Sequence, residues 1–264
     1  MSVKLSCISW SFHRAFESGD LNVESWLELC SKKLKIGGAE IIADHLESTD
    51  MTYLMKIKKL ATDLHLTLDC LSPGNNFGVA TAEGRAKEVV DVKKWIDVGY
   101  ALGTPVIRIF SGWPEGDRDE LWGEAVKCLK EVGEYAKTKG ITLVVEHHNG
   151  GGFLKTSDDV LKMIKEVDSP YVMLNLDTGN YTDDDNYEAI KKTIHLAPHI
   201  HAKIHKISKD GVEQEFDYDK IFTILKDADY KGFISVEYEG EEDEMEYAPI
   251  AINMVRSYMK KYLV

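Results

Sequence analysis

Residues 141–180 read ITLVVEHHNGGGFLKTSDDVLKMIKEVDSPYVMLNLDTGN. The β-branched run Thr142–Glu146 predicts a strand, and apolar residues at helical spacing over Asp158–Glu166 predict a helix. Val172–Asp177 predicts a second strand. Two parallel strands need a long crossover between them, so this repeat is a unit of a parallel sheet. Both of its strands end on a carboxylate.

The same alternation covers the rest of the chain. Further strands are expected at Lys4–Ser9, Ala39–Ala43, Leu66–Cys70, Val106–Phe110, His199–Ile204 and Phe233–Tyr238, eight in all. Amphipathic segments lie between them at Val23–Lys35, Met51–Leu64, Ala82–Leu102, Glu120–Thr138, Asn186–Ile194, Tyr218–Asp227 and Glu244–Tyr262. Asn22 is a plausible cap for the first, and Ser157-Asp-Asp and Asp183-Asp-Asp look like acidic helix starts. Gly37-Gly38, Gly140 and Gly232 precede strands two, five and eight, where a turn into a strand favours a left-handed residue. Eight such units in 264 residues, without a linker or a shift in composition, predict a single (β/α)8 TIM barrel over residues 1–264. An open doubly wound sheet is the competitor. It usually carries a glycine-rich phosphate loop after strand one, and this chain has Ser9-Trp-Ser-Phe-His13 there.

Lys and Arg number 32 against 45 Asp and Glu, a net charge of −13. Such a surface repels polyphosphate, so nucleic acid is not an expected partner, and anionic membranes are disfavoured likewise. Neither a signal peptide nor a membrane span is read from the apolar runs. Cys7, Cys30, Cys70 and Cys128 are scattered in apolar runs without metal-site spacing. They read as free core thiols of a cytoplasmic protein.

In a (β/α)8 enzyme, chemistry sits where strands end and the following loops begin. The last four strands end in Glu146, Asp177, His201 and Glu237. A carboxylate among branched apolar residues is costly unless a cation or dense hydrogen bonding compensates. Three carboxylates and one imidazole suit one divalent ion, Mn, Mg, Co or Zn, with positions left for a chelating sugar or polyol. Such an ion polarises a carbonyl and stabilises the enediolate formed when the neighbouring C–H loses its proton. Glu146 and Glu237 are the candidate acid and base.

These residues resemble the xylose isomerase-like TIM-barrel superfamily, the sugar phosphate isomerase/epimerase group. The shared motifs are Glu146-His-His148-Asn-Gly-Gly151, Asp177-Thr-Gly-Asn180, His199-Ile-His201-Ala-Lys203 and Gly232-Phe-Ile-Ser-Val-Glu237. The resemblance implies one divalent metal held by Glu146, Asp177, His201 and Glu237, with the two glutamates doubling as acid and base. It implies a sugar isomerase or epimerase, with dehydration of a keto-inositol or keto-sugar as the alternative outcome of the same deprotonation. A non-catalytic sugar-binding barrel is a third reading. Dimers are common in that family, so a homo-oligomer is compatible with the resemblance, but the oligomeric state is not readable from the sequence. The superfamily's apurinic endonucleases use three zinc ions and further histidines. Here Asn180, Arg108 and Asp69-Cys-Leu-Ser72 stand where those would be, which with the charge argues against a nuclease.

Further substrate contacts are expected from His148 and Asn180, and from Lys203 toward an oxyanion. Arg108 is expected to order the carboxylates. Trp10, Phe12 and Trp113, at or past strand ends, could stack on sugar C–H faces, with core or lid packing the favoured reading for each. Glu239 reads as solvated and the acidic run Glu239–Glu244 as a solvated loop and helix start, and His13, His45, His65, His195 and His205 receive no role. The free sugar is favoured over its phosphate, since Lys206-Ile-Ser-Lys209-Asp-Gly211 is only a weak match to a phosphate loop.

Overall fold

The computed structural model describes residues 3–263. Its strands are β1 (Lys4–Cys7), β2 (Gly38–Ile42), β3 (Thr67–Ser72), β4 (Val106–Phe110), β5 (Thr142–Glu146), β6 (Val172–Asp177), β7 (His199–Ile204) and β8 (Phe233–Tyr238). The helices are α1 (His13–Ser18), α2 (Val23–Glu28), α3 (Met51–Asp63), α4 (Ala82–Leu102), α5 (Arg118–Lys139), α6 (Ser157–Val167), α7 (Asn186–Thr193), α8 (Tyr218–Asp227) and α9 (Glu244–Tyr262). All eight strands belong to one sheet. β1 pairs in parallel with β8, from Lys4↔Phe233 to Cys7↔Val236, while Ile8 bridges Glu40 of β2. The first strand thus meets both the second and the last, the closure of a (β/α)8 barrel and not of an open sheet. Among the described residues, no helix is long and apolar enough to cross a membrane. All four cysteines are free and buried.

Packing divides the chain into two compact units, Cys70–Pro198 and the residues up to Asp69 together with those from His199 on. In the Cys70–Pro198 unit, strand residues alternate between two faces. Ile107, Ile109, Leu143, Val145, Leu174 and Leu176 are buried together with Val92 and Ile96 of α4, Leu129 and Val132 of α5, and Val160 and Met163 of α6. Each such side chain contributes about 1.5–3 kcal/mol by leaving water. The opposite face carries Arg108, Glu146, Asn175 and Asp177. In the other unit, Trp26, Leu27, Leu54, Ile57, Phe222 and Ile252 supply the apolar burial.

Local chemistry explains most helix limits. Thr81, Asp117, Thr156, Asp185 and Asp217 cap α4 to α8 by accepting backbone N–H bonds at their N-termini. Asn22 caps α2, in a reciprocal box with Ser25. Asp117 starts α5 two residues earlier than the apolar periodicity indicates. The acidic Asp183-Asp-Asp divides its labour: Asp185 caps α7, and Asp183 accepts from the backbone and hydroxyl of Ser157.

Several boundaries differ from expectation. The segment expected as one helix over Val23–Lys35 is α-helical only to Glu28 and continues as a π-helix over Leu29–Leu34. Its wide last turn, closed by the Lys35 amide on the Cys30 carbonyl, keeps Cys30 and Leu34 buried. β3 begins one residue late because the Leu66 amide closes the end of α3 on the Ala61 carbonyl. β1 stops at Cys7, where the chain turns into a 3₁₀ segment, Ser9–Phe12, and then the unforeseen α1. Of the glycines expected to be left-handed, only Gly140 is, at φ 66°. Before β2 the left-handed residue is Lys35. Gly38 is required for a different reason: a Cβ there would lie 2.7 Å from both Asp69 Oδ1 and Ser6 Cβ.

Candidate functional site

In the Cys70–Pro198 unit, Glu146 is the last residue of β5 and is buried. Its Oε2 lies 3.2 Å from Arg108 Nε, and the Arg108 guanidinium in turn lies over the Phe110 ring at 4.2 Å. The Asn175 side-chain amide donates to Oε2 at 3.3 Å and that of Asn180 to Oε1 at 3.5 Å. Asn175 faces Glu146 in the β5–β6 register. A carboxylate surrounded by N–H donors is held as an acceptor. Arg108 and Asn180 therefore both touch Glu146.

Asp177 ends β6, fully buried, and its Oδ1 accepts from the Gly179 amide at 2.7 Å. That turn sets the direction of the Thr178–Asn180 loop. The Asp177 amide donates to His147 Nε2 at 3.1 Å, and the His147 ring stacks on Tyr181 with centroids 3.7 Å apart. Nε2 is thereby the acceptor nitrogen, and His147 is a fully buried brace under the β6 end. His148 points elsewhere. Its Nδ1 accepts from Gly150, and its ring meets Trp113 edge-on at 5.7 Å. Phe110, Trp113, Glu146 and His148 line one narrow cleft.

In the other unit, every residue of β7 is buried. Ile200, Ala202 and Ile204 take one face, and His199, His201 and Lys203 the other. His201 Nε2 lies 2.9 and 3.1 Å from the two carboxylate oxygens of Glu40, and its Nδ1 lies 3.2 Å from Glu237 Oε2. Lys203, opposite Glu237 in the β7–β8 register, places Nζ 2.7 Å from Oε2 of both Glu237 and Glu239. His199 Nε2 lies 3.1 Å from Asp69 Oδ2, whose other oxygen accepts from Ser6 Oγ at 2.7 Å. Glu40, His199 and His201 are a buried cluster whose ligand-type atoms lie within 4.8 Å of one another, able to hold a metal ion.

Charge pairing sets the electrostatics of this face. Burial alone would raise the Glu237 carboxyl, but Lys203 and then His201 outweigh it and hold it well below the usual range. Glu40 behaves likewise, with burial outweighed by His201 and His199. Glu239 is pulled down to about 2, where the His205 and Lys203 contacts overcome burial. Asp69 goes the other way, raised because burial outweighs its bond to His199.

One expectation fails in part. Glu239 is only partly solvated, its side chain 31% exposed: it binds Lys203 and accepts from Trp10 Nε1 at 2.7 Å. At the far end of that acidic run, Glu244 is buried and accepts from the Ala15 amide at 2.7 Å. Phe12 is fully buried in the core and offers no stacking surface. Trp10 does line a cavity of about 580 Å³ past the ends of β1 and β2, with Phe16, Asp44, His45 and Glu47. Phe16 stacks on His45 at 3.9 Å and Trp10 on His13 at 4.6 Å. Burial holds the His45 imidazole down at about 4, so near neutral pH it adds no positive charge to this cavity.

Sequence reasoning missed Glu40, Asp69, Asn175 and His147. The available signal was a polar residue inside an apolar strand, as in Gly38-Ala-Glu40-Ile-Ile and Leu68-Asp69-Cys70-Leu71.

The inosose dehydratase of Clostridium perfringens is 28% identical over 169 residues, 54% of this chain and 55% of that protein. That of Clostridium tetani is 27% identical over 195 residues, 63% of each. The chain thus spans about half to two thirds of the length of these curated relatives. Among solved structures, an L-ribulose 3-epimerase superposes with a TM-score of 0.81 at 19% identity, covering 98% of this chain and 95% of that one. A D-psicose 3-epimerase crystallised in the presence of D-fructose superposes at 0.80 with 18% identity and 99% coverage of each chain. At such identities these likenesses establish the barrel. The model of the xylose isomerase-like TIM barrel family matches residues 30–258, and the chain belongs to that family.

Proposed function

We propose that the protein is a divalent-metal-dependent isomerase or epimerase of an unphosphorylated ketose, keto-sugar or polyol, working as one barrel domain. The observation that carries this reading is the burial of four ligand-type residues, Glu146, Asp177, His201 and Glu237, on four successive strands of such a barrel. Their donor set, carboxylate oxygens with one imidazole nitrogen, fits Mn, Mg, Co or Zn. A bound ion would supply Lewis acidity toward the substrate carbonyl.

The chain's own groups move the proton. Glu146, kept an acceptor by Arg108 and Asn175, removes it from the carbon next to the carbonyl. Glu237, held ionised by Lys203, relays a proton from the Lys203 ammonium at 2.7 Å to the opposite face or to the neighbouring carbon, and exchange with solvent reprotonates Lys203 and deprotonates Glu146. His148, Asn180, Trp113 and Trp10 are the proposed substrate contacts. Glu17, Asp44 and Glu47 of the Trp10 cavity favour a neutral polyol over a phosphate ester. The four buried thiols fit a reducing cytoplasm.

Dehydration of a keto-inositol or keto-sugar is the second reading. It is favoured by the buried Lys203 ammonium, a donor for a departing hydroxyl, and by the likeness to inosose dehydratases. Incubating the metal-loaded protein with free keto-sugars and keto-inositols in D₂O separates the two. Deuterium at a retained C–H without loss of water supports the first, and an unsaturated ketone supports the second. No exchange and no elimination with any of the four metals would sink both.

A further inference from the structure

Glu40 is a fully buried acid in the middle of a strand that otherwise offers only Gly, Ala and Ile. The reaction proposed above gives Glu40 no part. It faces two imidazoles from β7, and the distances divide them. His201 Nε2 sits 2.9 and 3.1 Å from the two Glu40 oxygens, whereas His199 Nε2 is 3.7 Å from Glu40 and 3.1 Å from Asp69. Asp69 is in turn fixed by the Ser6 hydroxyl, and Gly38 leaves room for both groups. Of Glu40 and Asp69, each Nε2 thus lies nearer to a different one.

An imidazole that donates N–H through one nitrogen presents a lone pair on the other. Histidines that bind metals nearly always carry such a carboxylate or carbonyl behind them, which fixes ring orientation and raises basicity. We propose that Glu40 is a positioning residue. It holds the Nε2–H of His201 so that Nδ1, on the Glu237 side, is the nitrogen offered to the ion, and Asp69 keeps His199 from competing for Glu40. This rests on the reading of His201 as a ligand made above. It adds that the strength of that ligand is set from β2.

The test is calorimetric titration of metal-stripped protein with Mn²⁺ and with Zn²⁺, alongside thermal unfolding of the metal-free forms. Glu40→Gln is expected to weaken ion binding 10- to 100-fold. Glu40→Asp, which keeps the charge but shortens its reach, should recover part of that loss and carries the test if Glu40→Gln does not fold. Ser6→Ala disturbs the same buried network but leaves the Glu40–His201 contact, and is expected to bind the ion as wild type does. Binding by Glu40→Gln within threefold of wild type overturns the proposal. So do two ions in wild type and one in Glu40→Gln, which would make Glu40 a ligand. Wild-type protein that takes up neither ion overturns the metal reading itself, a result distinct from an unaffected Glu40→Gln.

Discussion

The ends of β5 and β6 and the face of β7 and β8 both bury carboxylates, but they neutralise them differently. Glu146 lies 3.2 Å from the Arg108 guanidinium and accepts from the side-chain amides of Asn175 and Asn180, groups that do not titrate near neutral pH. On β7 every alternate side chain is titratable, and His199, His201 and Lys203 meet Asp69, Glu40, Glu237 and Glu239 in turn. The first arrangement pins one acceptor in place. The second distributes charge and protons along a strand, so a change at one member reaches its neighbours. That difference fits Glu146 as the base with a fixed geometry and Glu237 as the group whose proton is replenished.

The contrast can be broken by experiment. Glu146→Gln and Glu237→Gln should each lower kcat by about 10²–10⁴-fold, measured as initial rates on whichever keto-sugar exchanges deuterium. If the two differ in role as argued, Glu237→Gln should also flatten the pH profile, and matching profiles would erase the distinction. Next in size, Arg108→Met strips a buried carboxylate of its cation, at a cost of about 3–5 kcal/mol in the metal-free protein. Lys203→Met takes the ammonium from buried Glu237 and from partly exposed Glu239 at once, and its loss by urea unfolding should be the larger. Equal losses would mean that β7 is no more coupled than β5. Gly38→Ala forces a methyl into Asp69, Ser6 and Phe233, and about 1–3 kcal/mol is expected from overpacking.

The smallest effect is a pH slope. His45 is held at about 4 in the fold against 6.5 for an unperturbed imidazole, so between those values the unfolded chain binds more protons. Its contribution is complete above about pH 6.5 and is lost as pH falls through about 4. Urea midpoints from pH 7 to 4 should therefore fall more steeply for wild type than for His45→Gln, and parallel curves would contradict the neutral His45.

The strands β4 to β8 were legible to the residue because each is a short β-branched, apolar or alternating run set between segments of helical periodicity. The (β/α)8 class followed from their repetition. Glu146, Asp177 and Glu237 stood out in the sequence because each breaks an apolar strand at or near its carboxyl end, and His201 because of its place in His199-Ile-His201-Ala-Lys203. The residues packed beside them did not. Glu40 and Asp69 also break apolar strands, but one acid in a strand is indistinguishable from an exposed edge charge until its partner is known, and His199 lies 130 positions from Asp69. Glu239 and Glu244 were misread for a related reason: an acidic run looks solvated unless Trp10 and the Ala15 amide are known to point at it. The π-helical turn at Leu29–Leu34 escaped because it preserves the burial of Cys30 and Leu34 that a helix would give.

The central claim is that Glu146, Asp177, His201 and Glu237 share one ion. Elemental analysis of the purified protein, repeated on Glu146→Ala and His201→Ala that unfold cooperatively, tests it directly. One equivalent of Mn, Mg, Co or Zn in wild type and a large loss in both variants is predicted. Full retention of the metal in both would contradict the assignment.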